Sequence, residues 1–155
     1  MTALLVFGTF AFLATFTAGS MLTLQLQHYA IYPHVGRDGF AGYIAANNRA
    51  AVVPVIVPAI LLLVTSAVLV IVRPAFMTRV EASMAFALNL VQLASTFRWQ
   101  RRLQAEMAVT GYDNAKTAML VATNWIRTFA LLAQALLASV VLIRALHATY
   151  AFGAP

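Results

Sequence analysis

The sequence contains no cysteine, which excludes disulfides, thiolate metal sites and cysteine nucleophiles. Charge is nearly as scarce. Asp, Glu, Lys and Arg together make up 9% of 155 residues, against about 25% in a soluble domain. Acid is scarcest of all, with four residues: Asp38, Glu81, Glu106 and Asp113. None sits in the interior of an apolar segment, so a proton-relay transporter lacks its usual groups. There is no Gly-rich phosphate loop, no Ser/His/Asp set, no paired carboxylate and no low-complexity tract.

What is present is hydrocarbon. Residues 1–36, 50–72, 82–97 and 128–143 carry no charge at all. A spanning helix needs about 20 predominantly apolar residues, and four fit, at about 3–27, 49–72, 80–98 and 116–146. The expectation is a single domain over residues 1–155: an all-α, integral membrane four-helix bundle with up-and-down topology. The first segment is apolar from Ala3 to about Leu26 and has no basic n-region, so it reads as a retained helix and not as a secretory signal. The net charge of +6 resides at helix ends, where it signals topology. Membrane lipids are the expected partners, and nucleic acid is not.

Small residues (Gly8, Thr9, Ala14, Thr15, Ala18 and Gly19) seed the first helix and suit close helix packing. The following loop holds Tyr29, Tyr32, Pro33, His34, Gly36, Arg37 and Asp38. Asp38 is positioned to cap a short helix bearing Phe40, Tyr43 and Ile44. Pro54 and Pro58 should kink the start of the second span. The third begins near Arg79 and is expected to leave the membrane through Trp99, Leu103 and Met107 before Gly111 caps it. Asp113 suits the N-cap of the fourth. The first and third connections hold Arg37, Arg49, Arg98, Arg101, Arg102 and Lys116, against Arg73, Arg79 and Arg144 at the other end. The positive-inside bias assigns the first and third loops to the cytoplasm.

Polar residues inside spans are costly and tend to face the bundle interior. Asn89, Gln92 and Thr96 share one face of the third helix, and Asn124, Arg127, Thr128 and Gln134 a broad face of the fourth. With Gln25, Gln27, His28, Asn47, Asn48, Arg49, Arg98 and Trp99 they gather at the end of the first and third loops. One reading is a ligand pocket in which Arg127 binds an anionic or carbonyl-bearing molecule. The other is interhelical hydrogen bonding, with Asn89 and Gln92 joined to Asn124 and Arg127. Arg127 has no acidic residue in any span interior to pair with. His28, His34 and Glu106 form a conceivable two-His-one-carboxylate metal set, without a dedicated ligand spacing. His147 is an interfacial histidine before it is a pigment or haem ligand.

Three stretches bear a family resemblance. They are Tyr32-Pro33 with Gly39-Phe40-Ala41-Gly42-Tyr43, Asn47-Asn48-Arg49 with Pro54 and Pro58, and Gly111-Tyr112-Asp113 with Thr123-Asn124-Trp125-Ile126-Arg127-Thr128. The last resembles the NWIRT signature of a small bacterial four-helix membrane protein family of unknown function, distantly similar to anthrone oxygenase-like proteins. The resemblance covers most of the chain and implies a four-helix membrane bundle, but little about chemistry. Members tend to carry His near the positions of Ile44, Asn47 and Gln100, and an acidic residue in the second helix, where this chain reads Ala59-Ile60-Leu61-Leu62-Leu63. The groups best suited to metal or proton chemistry are therefore missing, while Asn124, Trp125, Arg127 and Thr128 remain.

The leading expectation is a non-catalytic subunit packing against other membrane protein subunits in a bacterial inner-membrane assembly, respiratory or photosynthetic, with no cofactor identified. The alternative is a small membrane enzyme or binding protein for an apolar carbonyl-bearing ligand such as a quinone or polyketide. In that case Arg127, Asn124, Gln92, Asn89, His28 and Trp125 are the candidate ligand-binding residues.

Overall fold

A computed structural model describes residues 1–152. Among the described residues the chain is all-helical, and four helical stretches are long and apolar enough to cross a membrane: Thr2–His34, Val52–Ile71, Arg79–Thr110 and Asn114–Tyr150. This is a multi-pass membrane protein. The helices are α1 (Thr2–Thr23), α2 (Phe40–Ala50), α3 (Val57–Ile71), α4 (Arg79–Ser95), α5 (Arg101–Thr110) and α6 (Asn114–Phe152). Helix α1 packs on α3 and α6, and α4 packs on the same two, giving a four-membered ring of antiparallel neighbours.

Local chemistry accounts for the start of α4, the end of α5 and the start of α6. At the start of α4 the Thr78 hydroxyl accepts from the Glu81 backbone N–H, while Glu81 Oε2 accepts from the Thr78 backbone N–H at 2.8 Å. This reciprocal pair satisfies two otherwise orphaned donors. Arg144 of α6 reaches across to Glu81 (2.8 Å) and to the Phe76 carbonyl (2.7 Å), tying the C-terminal part of α6 to α4. Gly111 ends α5 at φ +80°, ψ −162°, a conformation essentially confined to glycine. Asp113 Oδ1 then accepts from the Lys116 N–H at the start of α6. Asp38 does not cap α2. It lies within a 3₁₀ turn, Arg37–Gly39, and Gly39 occupies the cap position without a side-chain bond.

The spans differ from simple apolar windows at one end of the bundle. Helix α1 runs on through a π-helical turn, Leu24–His28, and a 3₁₀ turn, Tyr29–His34. A second π-turn, Val52–Ile56, containing Pro54, precedes α3, so Arg49 belongs to α2 and not to the second span. The third, Thr96–Gln100, joins α4 to α5. All three wide turns fall where the spans meet the first and third loops. There α2 packs on α5 as a cap over the bundle.

The buried apolar residues divide into two clusters. One fills the part of the bundle away from the first and third loops, with Phe7, Phe10, Leu13, Leu62, Leu69, Leu131 and Val141. The other lies under the α2–α5 cap, with Tyr29, Tyr32, Phe40, Ile44, Leu103, Met107 and Leu120. Edge-to-face rings knit the cap together, including Tyr32–Phe40 and Phe40–Tyr112 at 5.4 and 5.0 Å between centroids, the arrangement that ring quadrupoles favour. Many large apolar side chains face outward, among them Phe12, Ile60, Leu90, Phe129 and Leu136. In water such faces would be a liability; in lipid they match the solvent.

Candidate functional site

A polar layer of buried side chains runs along the bundle interior, with Ser66, Asn89 and Gln134 amid the first apolar cluster and Gln25, Gln92, Ser95, Gln100, Asn124, Arg127 and Thr128 leading toward the second. Three hydrogen bonds set the register of α4 and its π-turn against α6. Gln134 Nε2 donates to the Ala85 carbonyl at 2.7 Å, Ser95 Oγ to the Thr123 carbonyl at 3.5 Å, and Gln100 Nε2 to Thr123 Oγ1 at 2.9 Å. Each step along one antiparallel helix is a step back along the other, so Gln92 lies level with Arg127.

Most of these groups bridge neighbouring helices. Asn89 donates to Ser66 Oγ of α3 at 2.8 Å. Gln25 Nε2 donates to the Val121 carbonyl at 3.2 Å, and its Oε1 accepts from Asn124 Nδ2 at 2.6 Å. The Asn89–Asn124 and Gln92–Arg127 bonds expected from the facing stripes do not form. Asn89 points to α3, and Gln92 Oε1 accepts from Thr96 on its own helix. Antiparallel helices at a ring corner present each face to one neighbour, and the Asn89 face meets α3.

Arg127 is 9% exposed. Its sole hydrogen bond among the described residues runs from Nη1 to Asn124 Oδ1 at 3.2 Å, and its buried Nε has no partner. The buried Tyr29 lies within electrostatic reach of this guanidinium. A guanidinium carries five N–H donors and no acceptor, so most of its capacity is unused. None of the four acids supplies a counter-charge: Glu81 is held by Arg144 at the far end, and Glu106 by Arg102 and Lys116. Asp113 caps α6, and Asp38 is exposed beyond the cap.

The six candidate ligand-binding residues therefore separate. Arg127 and Asn124 meet directly, Gln92 shares their level, and Asn89 belongs to the α3–α4 contact. His28 is drawn into the aromatic cap, where Nε2 lies 3.3 Å from Tyr32 Oη and the ring stacks on Tyr43. Trp125 is half-buried beside the layer, its ring stacked on exposed Phe129. Among the described residues no three His, Cys, Asp or Glu side chains converge, so His28, His34 and Glu106 do not assemble. Sequence reasoning overlooked Gln100 and Ser66 and left Gln25 without a partner. Gln25 and Gln100 lie in π-turns, where a 3.6-residue period no longer tells which way a side chain points. Comparison with family models, curated proteins and solved structures finds no match.

Proposed function

We propose that this chain is a non-catalytic structural subunit of a larger bacterial inner-membrane assembly, respiratory or photosynthetic, with its first and third loops in the cytoplasm. The observation that carries this reading is the use made of the polar layer. Gln25, Asn89, Gln100 and Gln134 each bond the backbone or a side chain of an adjacent helix. Such bonds fix register and are worth about 0.6 kcal/mol each on average, up to about 1.7. Of the candidate ligand-binding residues, Asn89 and Asn124 are committed to holding helices.

Two further features support it. On α1, Gly8, Thr15 and Gly19 lie with Phe12 along an outward face, and a methyl group built on either glycine meets nothing within 4 Å. The small-residue face of α1 is thus free for a helix from another subunit. The Thr123–Thr128 segment that resembles the family signature supplies Asn124 and Thr128 to the layer, which fits scaffold use. Six basic residues at the first and third loops against three at the other end support the orientation.

The test is extraction in mild detergent followed by an inventory of what copurifies. Other membrane subunits at fixed stoichiometry, lost in a Gly8→Leu/Gly19→Leu variant that still folds, are the expected result. A monomeric chain that loses no partner on extraction overturns the reading. It would favour the alternative of an enzyme or binding protein for a quinone or polyketide.

A further inference from the structure

Arg127 stands apart from the rest of the polar layer. Gln25, Asn89, Gln100, Asn124 and Gln134 each donate from their amide nitrogens to a partner, whereas the guanidinium, the one charged group there, uses one donor, toward Asn124, and leaves Nε buried and free. Arginine stays protonated in proteins, and a buried charge without a partner is unfavourable unless something compensates it. The chain has four acidic residues, and all four are engaged or located elsewhere. No carboxylate among the described residues pairs with Arg127, which points to a compensating charge from outside the polypeptide.

The position of Arg127 limits what that anion is. Arg79 and Arg98 mark the two ends of the third span, and 19 residues of helix at about 1.5 Å each give roughly 28 Å, close to the hydrocarbon thickness of about 30 Å. Arg127, level with Gln92, is six residues inside the Arg98 end, or roughly 9 Å. An inorganic anion does not dwell at that depth. An anion borne on an apolar tail does. A groove of about 730 Å³ on the lipid side of the same helix pair is lined by Val91, Ala94, Phe97, Trp99 and Ile126, with Ser95 and Arg98. Arg127 does not line this groove, but the groove spans the same levels beside its neighbour Ile126, and its apolar walls suit a hydrocarbon chain.

We propose that Arg127 is the head-group site for a tailed anion drawn from the bilayer, its oxygens received by the free guanidinium N–H groups and the Tyr29 hydroxyl. Planar N–H donors match a carboxylate or phosphate fork, so the shared chemistry is an anionic oxygen head on an acyl chain. A free long-chain carboxylate and an anionic phospholipid are the two sources. The proposal goes beyond the subunit reading and does not depend on it.

The test uses the full chain purified in mild detergent and delipidated, titrated separately with oleate, phosphatidylglycerol and phosphatidylcholine, with adducts counted by native mass spectrometry. Expected is one equivalent of either oleate or phosphatidylglycerol, whichever is the source, bound at least tenfold tighter than phosphatidylcholine. Arg127→Gln should reduce that preference at least tenfold, and Arg127→Lys, which keeps charge but loses the fork, should reduce it less. Ligand should raise the melting temperature of the wild type and not that of Arg127→Gln. Should Arg127→Gln fail to fold, Tyr29→Phe removes one hydroxyl and is expected to weaken the anion several-fold. Equal binding of all three lipids, or an unchanged preference in whichever variant folds, overturns the proposal. So does a wild type that binds none.

Discussion

At the scale of single residues, the polar layer divides into groups that hold helices and groups, Gln92, Thr128 and Arg127, that bond only within their own helix. Asn89 Nδ2 donates to Ser66 Oγ across α3 and α4 at 2.8 Å, while its buried Oδ1 has no partner. A double-mutant cycle with Asn89→Ala and Ser66→Ala, followed by reversible unfolding in mixed micelles, should return a coupling of about 0.6–1.7 kcal/mol. Coupling indistinguishable from zero would show that the bond is dispensable. Gln134 makes a different case. Its amide nitrogen bonds the Ala85 carbonyl, but its buried Oε1 has no partner. Gln134→Leu loses one bond and removes one orphaned acceptor, so its stability should change by less than about 1 kcal/mol. Asn124→Leu instead strands Gln25 and Arg127 together and should cost about 2–3 kcal/mol in the same assay.

At the scale of elements, the helix ends follow local rules wherever the backbone follows them. The Thr78–Glu81 box, the Gly111 stop and the Asp113 cap are where short-range chemistry expects them, because each involves residues within a turn of one another. Gly111 offers a sharp check. Its φ of +80° with ψ of −162° is outside the left-handed helical well that asparagine tolerates. Both Gly111→Ala and Gly111→Asn should therefore cost about 1–3 kcal/mol, and a rescue by Asn would contradict the geometry. Thr78→Ala should cost about 1 kcal/mol through the lost cap, with helix α4 fraying at its first turn in hydrogen exchange. The π-turns obey no such signal. They arise where a span gives way to the cap, and the tertiary contacts of Gln25 and Gln100 accompany them.

At the scale of the whole molecule, four apolar stretches separated by charge amount to a membrane bundle, and basic residues concentrate at one end. The absence of native cysteine makes the orientation directly measurable. With loops one and three cytoplasmic, an Ala75→Cys variant in intact cells should react with a membrane-impermeant maleimide while Asp38→Cys reacts only after permeabilisation. The reverse pattern inverts the orientation.

The sequence alone was enough for the bundle, its four apolar stretches, the helix ends at Gly111 and Asp113 (though not the cap expected of Asp38) and the isolation of Arg127 from any acid, because hydrophobic length, short-range capping and a count of four acids are one-dimensional properties. Which helix each polar face meets was decided only in three dimensions. Asn89 turned to Ser66, His28 entered the aromatic cap and Trp125 stacked on Phe129 beside the layer because wide turns reset the helical period and ring packing assigns each face its neighbour. The amides found protein partners that way. Most of the donors of Arg127 did not, and that unmatched charge, legible in composition, becomes a candidate site only once its burial is seen.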